Sequence, residues 1–331
     1  MRYQRTSLGR GNRRTAHVPQ WGAARTPGGT LPARFRRERV LVVGCGDVGQ
    51  RLLRDQSKAG GGPRWLALTS QADKRAALRA MGAVALIGNL DRPSTLRRLA
   101  GLADRIVHLA PPPVEGEQDS RTRSLLHSLR RARLPRSLVY GSTSGVYGDC
   151  GGDGVPETRP LRATTARARR RVDAEARVRS LPVATRSSVL RIPGIYAPDR
   201  VGGTPLARLQ RGSPVLVAAE DVYTNHIHAD DLARACWLAL WRGRARRVYN
   251  INDDSQLRMG DYFDAAASLY GLPPPPRVSR AQAAQELSAM QMSFMSESRR
   301  LRNVRMKQEL GLRLRFADPL SGLRAAGPSS L

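Results

Sequence analysis

Arg39-Val40-Leu41-Val42-Val43-Gly44-Cys45-Gly46-Asp47-Val48-Gly49 is the stretch that decides the fold. Val40 to Val43 is a continuous apolar run of strand length, the pattern of a strand buried on both faces. A GxGxxG follows at once, and a helical stretch runs from about Asp47 to Lys58. Alone, the glycine spacing is a weak signal. Between a buried strand and a helix it acquires a mechanism. Gly44 permits the tight turn, Gly46 lets the backbone approach a pyrophosphate, and Gly49 lets helix and strand pack closely. The helix N-terminus, at Asp47 and Val48, offers free N–H groups and the positive end of a dipole. Asp47 puts a carboxylate where phosphates are expected, so it should cap the helix and point away.

Working outward, strand and helix alternate. Trp65 to Leu68 reads as a strand, Gln71 to Met81 as a helix, and Ala83 to Ile87 and Arg105 to Leu109 as strands. A helix over about Asp119 to Arg133 and a strand over Ser137 to Tyr140 follow. This spacing predicts βαβ units and an α/β fold with a Rossmann-type doubly wound parallel sheet. The second half is more mixed. Helices are expected over Thr164 to Arg179, Asp230 to Trp241 and Met259 to Leu269. Strands are expected at Ser188 to Ile192, Val215 to Val217, Thr224 to His228 and Arg247 to Ile251, and Pro273 to Pro276 is a rigid spacer. The expected division is a nucleotide-binding part over 39–190, to which 224–251 returns in part, and a smaller substrate-binding portion over 191–331. Residues 1–38 read as a disordered basic arm: through residue 37 there are nine arginines, no acid and scattered Gly and Pro.

Composition narrows the class. The chain has 331 residues, 40% of them hydrophobic but only 5% aromatic, so the core must be aliphatic. The longest apolar runs, such as Ala235 to Trp241, fall far short of the ~20 residues that span a bilayer, which excludes an integral membrane protein. Three widely spaced cysteines, Cys45, Cys150 and Cys236, exclude a disulfide framework or zinc knuckle and fit a cytoplasmic home. The net charge of +29 would ordinarily suggest nucleic acid. However, only Lys58, Lys74 and Lys307 among the 56 basic residues are lysines, and the arginines are spread along the chain. A GC-rich coding bias accounts for that better than a binding patch. The positive field still favours anionic ligands.

The cofactor choice rests on the end of the second strand. An acid about 20 residues past the glycines would hold a ribose 2′-hydroxyl, but the strand ends Leu68-Thr69-Ser70-Gln71, with Lys74 and Arg75 following. A hydroxyl and two cations suit a 2′-phosphate, which favours NADP over NAD.

Five further segments complete a pattern. They are Gly88-Asn89-Leu90-Asp91, Val107-His108-Leu109-Ala110, Gly141-Ser142-Thr143-Ser144-Gly145-Val146-Tyr147-Gly148, Leu190 through Pro193-Gly194-Ile195 to Pro198, and Ile227 to Ala233 with Val248 to Ile251. In this order the chain resembles the extended short-chain dehydrogenase/reductase superfamily, the NAD-dependent epimerase/dehydratase group, from about Arg39 to Leu312. The resemblance implies an adenine border at Asn89 and Leu90. It implies a nicotinamide-ribose floor at Leu109 and Ala110, and a nicotinamide-side loop at Pro193, Gly194 and Ile195. It also implies a substrate-facing hydroxyl at Thr143, and a small-molecule carbonyl or nucleotide-sugar substrate, with a homodimer left open.

One departure is plain. The family's Tyr-x-x-x-Lys, counted back from Glu175, falls on Arg167 and Arg171. Arginine stays charged at any working pH and cannot serve as general base. Arg171 can still hydrogen-bond the ribose. This places the chain nearer the atypical, YeeZ-like branch of the superfamily. The nearest phenols that could move a proton are Tyr147 and Tyr196, with water as the alternative. His226 and His228 share a strand face, but Asp230 reads as the cap of the next helix, so no metal site is expected. His108 reads as a core histidine. Three classes stand: a carbonyl oxidoreductase, a non-catalytic NAD(P)-binding sensor, and a nucleic-acid binder.

Overall fold

A computed structural model describes residues 37–57 and 62–325. All but the last two residues of the expected basic arm lie outside the described residues. The principal elements, in chain order, are β1 (Arg39–Val43), α1 (Asp47–Ser57), β2 (Arg64–Thr69), α2 (Lys74–Ala80), β3 (Val84–Ile87) and β4 (Arg105–His108). They continue with α3 (Ser120–Leu129), β5 (Ser137–Thr143), α4 (Ala166–Arg179), β6 (Arg186–Ile192), α5 (Ala229–Arg242), β7 (Arg247–Asn250) and α6 (Met259–Tyr270).

The seven strands form one sheet in the order β7-β6-β5-β4-β1-β2-β3, and every neighbouring pair is parallel. The order reverses between β1 and β4. In a doubly wound Rossmann-type sheet, that switch point opens a crevice at the carboxyl ends of the strands. The apolar run of β1 shows why it sits at the centre. Val40 and Val42 pack with Leu52, Val107, Leu190 and Cys236 under α1 and α5. Leu41 and Val43 pack with Leu66, Ile106, Leu125 and Val178 under α3 and α4. Successive side chains point to opposite faces, so a run that must be apolar on both cannot alternate. A separate apolar cluster gathers Leu209, Val215, Met259, Tyr262, Phe263 and Ala266 from the second half.

Several boundaries moved for local reasons. Helix α2 starts at Lys74 rather than Gln71, because the Thr69 hydroxyl oxygen accepts from the Gln71 N–H at 3.1 Å and holds the intervening residues in a turn. Pro93–Leu99 forms a 3₁₀ turn that no apolar period announced. Only Arg247–Asn250 returns to the large sheet. His226–His228 pairs instead with Gly194–Tyr196 outside it. All three cysteines are buried and free. Among the described residues, no helix is long and apolar enough to cross a membrane.

Candidate nucleotide site and adjoining cavity

The crevice is built by backbone before any side chain enters it. The N–H groups of Leu109 and Ala110 both donate to the carbonyl of Val43, at 2.8 and 3.1 Å, tying the end of β4 to the end of β1. Gly44 turns the chain at φ +82°, pressed against Ala110. At Gly46 an added Cβ would meet nothing within 4 Å, so the loop leaves its backbone open to a ligand. The first-turn N–H groups of α1 have no carbonyl four residues back to bond. A cradle of this shape fits a pyrophosphate. The loop borders a cavity of about 240 Å³ whose walls include Gly44, Gly46, Asp47, Val48, Gly49 and Leu109. Thr143, Arg171, Pro193 and Ile195 close its other side.

Asp47 does not stand alone in this loop. Its carboxylate accepts from Arg51 at 3.0 Å and from Arg200 at 2.6 Å. Arg51, buried, also pairs with Asp199 at 2.5 Å and Asp230 at 2.6 Å. The acid that would repel a pyrophosphate is thus paired with two guanidiniums, one of them shared with Asp199 and Asp230. Sequence reasoning missed both. The Asp47–Arg51 spacing, i to i+4 on one helix face, was a readable signal. Arg200, 153 residues away, left none. Asp230 is not the cap of α5. The cap is His228, whose Nδ1 accepts from the Asp230 N–H at 3.2 Å, because Asp230 is turned toward Arg51.

A second cavity of about 480 Å³ adjoins the first. The two share Thr143, Arg167, Pro193, Ile195 and Arg200. Gly194, His226, Tyr262 and Phe263 line the second. Thr143 ends β5, and its Oγ1 accepts from the Gly145 N–H at 3.3 Å, leaving the hydroxyl proton to give. Ser142 points the other way and donates to Glu175 at 2.6 Å. Arg171 is pinned by bonds to the Gly141 carbonyl at 2.6 Å and the Tyr140 hydroxyl at 3.1 Å. Arg167 is exposed at the boundary between the cavities.

The two phenols considered for proton transfer are elsewhere. Tyr147 is buried, donates to Asn250 Oδ1 at 2.7 Å and lies under the Arg191 guanidinium. Tyr196 is buried, donates to the Asp318 carbonyl at 3.1 Å, and packs edge-on against His226 and His228. Burial raises the pKa of each. Neither borders either cavity, and the hydroxyls of both are engaged in the core. Ser70, Lys74 and Arg75 are exposed at and beyond the end of β2, outside both cavities. Asn89 accepts from the Asp91 N–H at 2.9 Å, while Leu90 and Ala110 are buried and also outside the cavities. His108 is buried, bonded to Thr122 Oγ1 at 2.9 Å, and burial takes its pKa down to about 3.

Beneath the second cavity, Asp253 donates its N–H to the His226 carbonyl at 2.8 Å. Its Oδ1 accepts from Ser255, while Oδ2 is buried without a partner. Burial raises its pKa from 3.8 to about 7. The folded protein therefore keeps a proton that the unfolded chain releases near its ordinary pKa, and stability falls as pH rises between the two values. Asp253→Asn should remove that loss. It should exceed the wild type by roughly 2–4 kcal/mol at about pH 8 and match it near pH 4. Urea midpoints at the two pH values check this, and an equal difference at both would contradict it.

The model of the NAD dependent epimerase/dehydratase family matches residues 40–252. A trifunctional UDP-glucose 4,6-dehydratase/UDP-4-keto-6-deoxy-D-glucose 3,5-epimerase/UDP-4-keto-L-rhamnose-reductase from Arabidopsis thaliana is 25% identical over 167 residues, 46% of this chain and 24% of that protein. The chain thus spans about a quarter of that relative's length. A functionally unknown conserved protein from Silicibacter pomeroyi is 32% identical with a TM-score of 0.73, over 87% of this chain and 97% of that one. UDP-glucose 4-epimerase from Thermotoga maritima, solved with UDP-glucose, shares the fold at 17% identity, TM-score 0.69, over 86% and 96% of the two chains. MoeE5 in complex with UDP-glucose and NAD does so at 21% identity and TM-score 0.66, over the same shares.

Proposed function

The chain belongs to the NAD-dependent epimerase/dehydratase family, and from that premise we propose that it is an oxidoreductase acting on the carbonyl of an aldehyde, ketone or sugar nucleotide. The observation that carries the reading is Thr143, whose hydroxyl stands on the wall common to the phosphate-loop cavity and its neighbour. A nicotinamide cofactor bound along the crevice supplies or accepts the hydride. NADP is preferred over NAD, because Ser70, Lys74 and Arg75 offer a hydroxyl and two cations to a 2′-phosphate. Thr143 donates its proton in a hydrogen bond to the substrate oxygen and polarises the carbonyl. Arg171, held at the end of β5, faces the ribose. With Tyr147 and Tyr196 engaged in the core, the proton comes from water in the open second cavity. Losing a positioned acid slows such a reaction by roughly 10²–10⁴-fold without abolishing it. The division of labour is a nucleotide-binding part over 39–190 and a substrate-binding portion over 191–331, at work in the cytoplasm.

Titrating the protein into NADPH and NADH while following reduced-nicotinamide fluorescence, then assaying a panel of carbonyl substrates, tests this. Thr143→Ala should lower kcat by roughly 10- to 100-fold with cofactor affinity within about 2-fold of wild type, as expected for a lost hydrogen bond to a developing charge. Arg171→Ala should show the reverse pattern, weakening cofactor binding by about 10-fold. Tighter NADH binding would overturn only the NADP preference. A second reading, a non-catalytic NAD(P) sensor, is favoured by Arg167 standing at the tyrosine position. It prevails if no carbonyl turns over and Thr143→Ala changes nothing.

A further inference from the structure

We infer that His226 selects the substrate: the second cavity takes a carbonyl compound bearing a further oxygen, a hydroxyl or a second carbonyl, and the His226 ring donates to that oxygen while Thr143 meets the reacting one. The inference deepens the proposed reading of this site and rests on it for the word substrate.

His226 borders the second cavity and is 7% exposed. Two other buried histidines each bond one ring nitrogen within the protein, His108 with Thr122 Oγ1 and His228 with the Asp230 N–H. Neither ring nitrogen of His226 is bonded among the described residues. Its Nδ1 is sealed from solvent without a partner. A buried bare acceptor is tolerated better than an orphaned N–H, so the hydrogen is assigned to Nε2. Nε2 lies on the ring edge turned toward Gly194, a residue of the cavity wall, where an added Cβ would come within 3.8 Å of the adjacent Cδ2. Burial takes the pKa down to about 4, so the ring is a neutral donor. Glu297, the acid on the same wall, is paired with Arg299 at 2.7 Å. The ring is also held in place. Tyr262 lies against its face with centroids 4.4 Å apart, and Tyr196 meets it edge-on at 6.3 Å.

Strand register sets the distance to Thr143. His226 sits opposite Gly194 in one parallel pair, and Thr143 sits opposite Ile192 in the pair of β5 with β6. Pro193 and Ile195, on either side of Gly194, belong to the wall common to both cavities. From strand spacing and rise, the Cα atoms of Thr143 and His226 lie on the order of 10 Å apart, so one small substrate touches both. His226 borders the second cavity and not the phosphate-loop cavity. Its donor therefore meets a part of the substrate away from the cofactor. Met259 and Phe263 beside it offer no acceptor. A substrate with only hydrogens at that point expels water and leaves the N–H unanswered, and sites built this way reject such analogues strongly.

Glyceraldehyde and propanal, which differ only in hydroxyl groups, are the probes, used with the full chain. With NADPH, kcat/KM should favour glyceraldehyde by about 100-fold or more. His226→Phe keeps a ring against Tyr262 and Tyr196 but removes the donor. It should cut the glyceraldehyde value by about 10- to 100-fold and leave that for propanal within about 3-fold of wild type. His226→Gln, whose amide can donate from near the Nε2 position, should recover part of the loss. A second readout needs no turnover and no folded His226→Phe. With oxidised NADP present, the ring-nitrogen NMR signals of His226, identified by their absence in His226→Gln, should move on adding glyceraldehyde and stay in place with propanal. Equal losses for the two aldehydes in His226→Phe, no preference for glyceraldehyde in the wild type, or ring signals that do not move overturn the inference and leave the carbonyl reading standing. Signals that move while neither aldehyde turns over keep His226 as a ligand-binding donor and remove the oxidoreductase reading instead.

Discussion

Glu175→Ala is expected to cost the protein roughly 3–5 kcal/mol of stability, the usual penalty for stranding one member of a buried ion pair. Glu175 and Arg191 are 1% and 2% exposed and meet at 2.8 Å between α4 and β6. The carboxylate also accepts from Ser142 at 2.6 Å, and Arg191 continues the network to the Glu157 carbonyl and the face of Tyr147. Truncating Glu175 leaves a guanidinium with no route to water. Truncating both partners does not, so Glu175→Leu with Arg191→Met should recover most of the loss. Urea unfolding of Glu175→Leu, Arg191→Met and the double variant measures the coupling. A loss below about 1 kcal/mol for Glu175→Ala would show that Arg191 finds another partner. The pair braces the ends of β5 and β6, which carry Thr143 and Pro193, so the same variant should also loosen the cavity wall.

Gly44→Ala and Gly46→Ala should separate folding from binding within one loop. At Gly44 a new Cβ would lie 2.3 Å from the Ala110 nitrogen, 2.5 Å from its Cα and 2.8 Å from the Leu109 carbonyl carbon, on a backbone with φ +82°. These are main-chain atoms, so no rotamer change relieves them. The loss should be about 3 kcal/mol or more, with nucleotide binding lost alongside. At Gly46 the Cβ has open space. Gly46→Ala should therefore unfold within about 0.5 kcal/mol of wild type yet bind reduced cofactor roughly 10- to 100-fold more weakly, because the methyl stands where the pyrophosphate must approach. Unfolding midpoints and cofactor-fluorescence titrations on the same preparations check both halves. Wild-type affinity in Gly46→Ala would remove the phosphate-binding role of the loop.

The legible parts of the site are those written in local spacing. The glycines of the loop, Thr143 at the end of β5 and the arginines at 167 and 171 were found by counting along the chain, and all of them border the phosphate-loop cavity. Tyr147 and Tyr196 were plausible by proximity in sequence to the same segments. A phenol's role depends on where its hydroxyl ends, and these end on Asn250 and Asp318, more than a hundred residues away. Burial of both rings was beyond the reach of periodicity, because a 3₁₀ turn and a three-residue strand are too short to show one.

By itself the sequence determined the alternation of strand and helix, the double burial of β1, and the glycine loop at its end. Each follows from side-chain period and backbone freedom over a few consecutive residues. Only the tertiary structure decided that Arg200 and Arg51 pair with Asp47, that Glu175 pairs with Arg191, and that Arg208 packs on the Phe263 ring. Those outcomes depend on which of many similar arginines reaches which carboxylate. In so arginine-rich a chain the pairing is settled by through-space distance and burial, and a one-dimensional pattern carries neither.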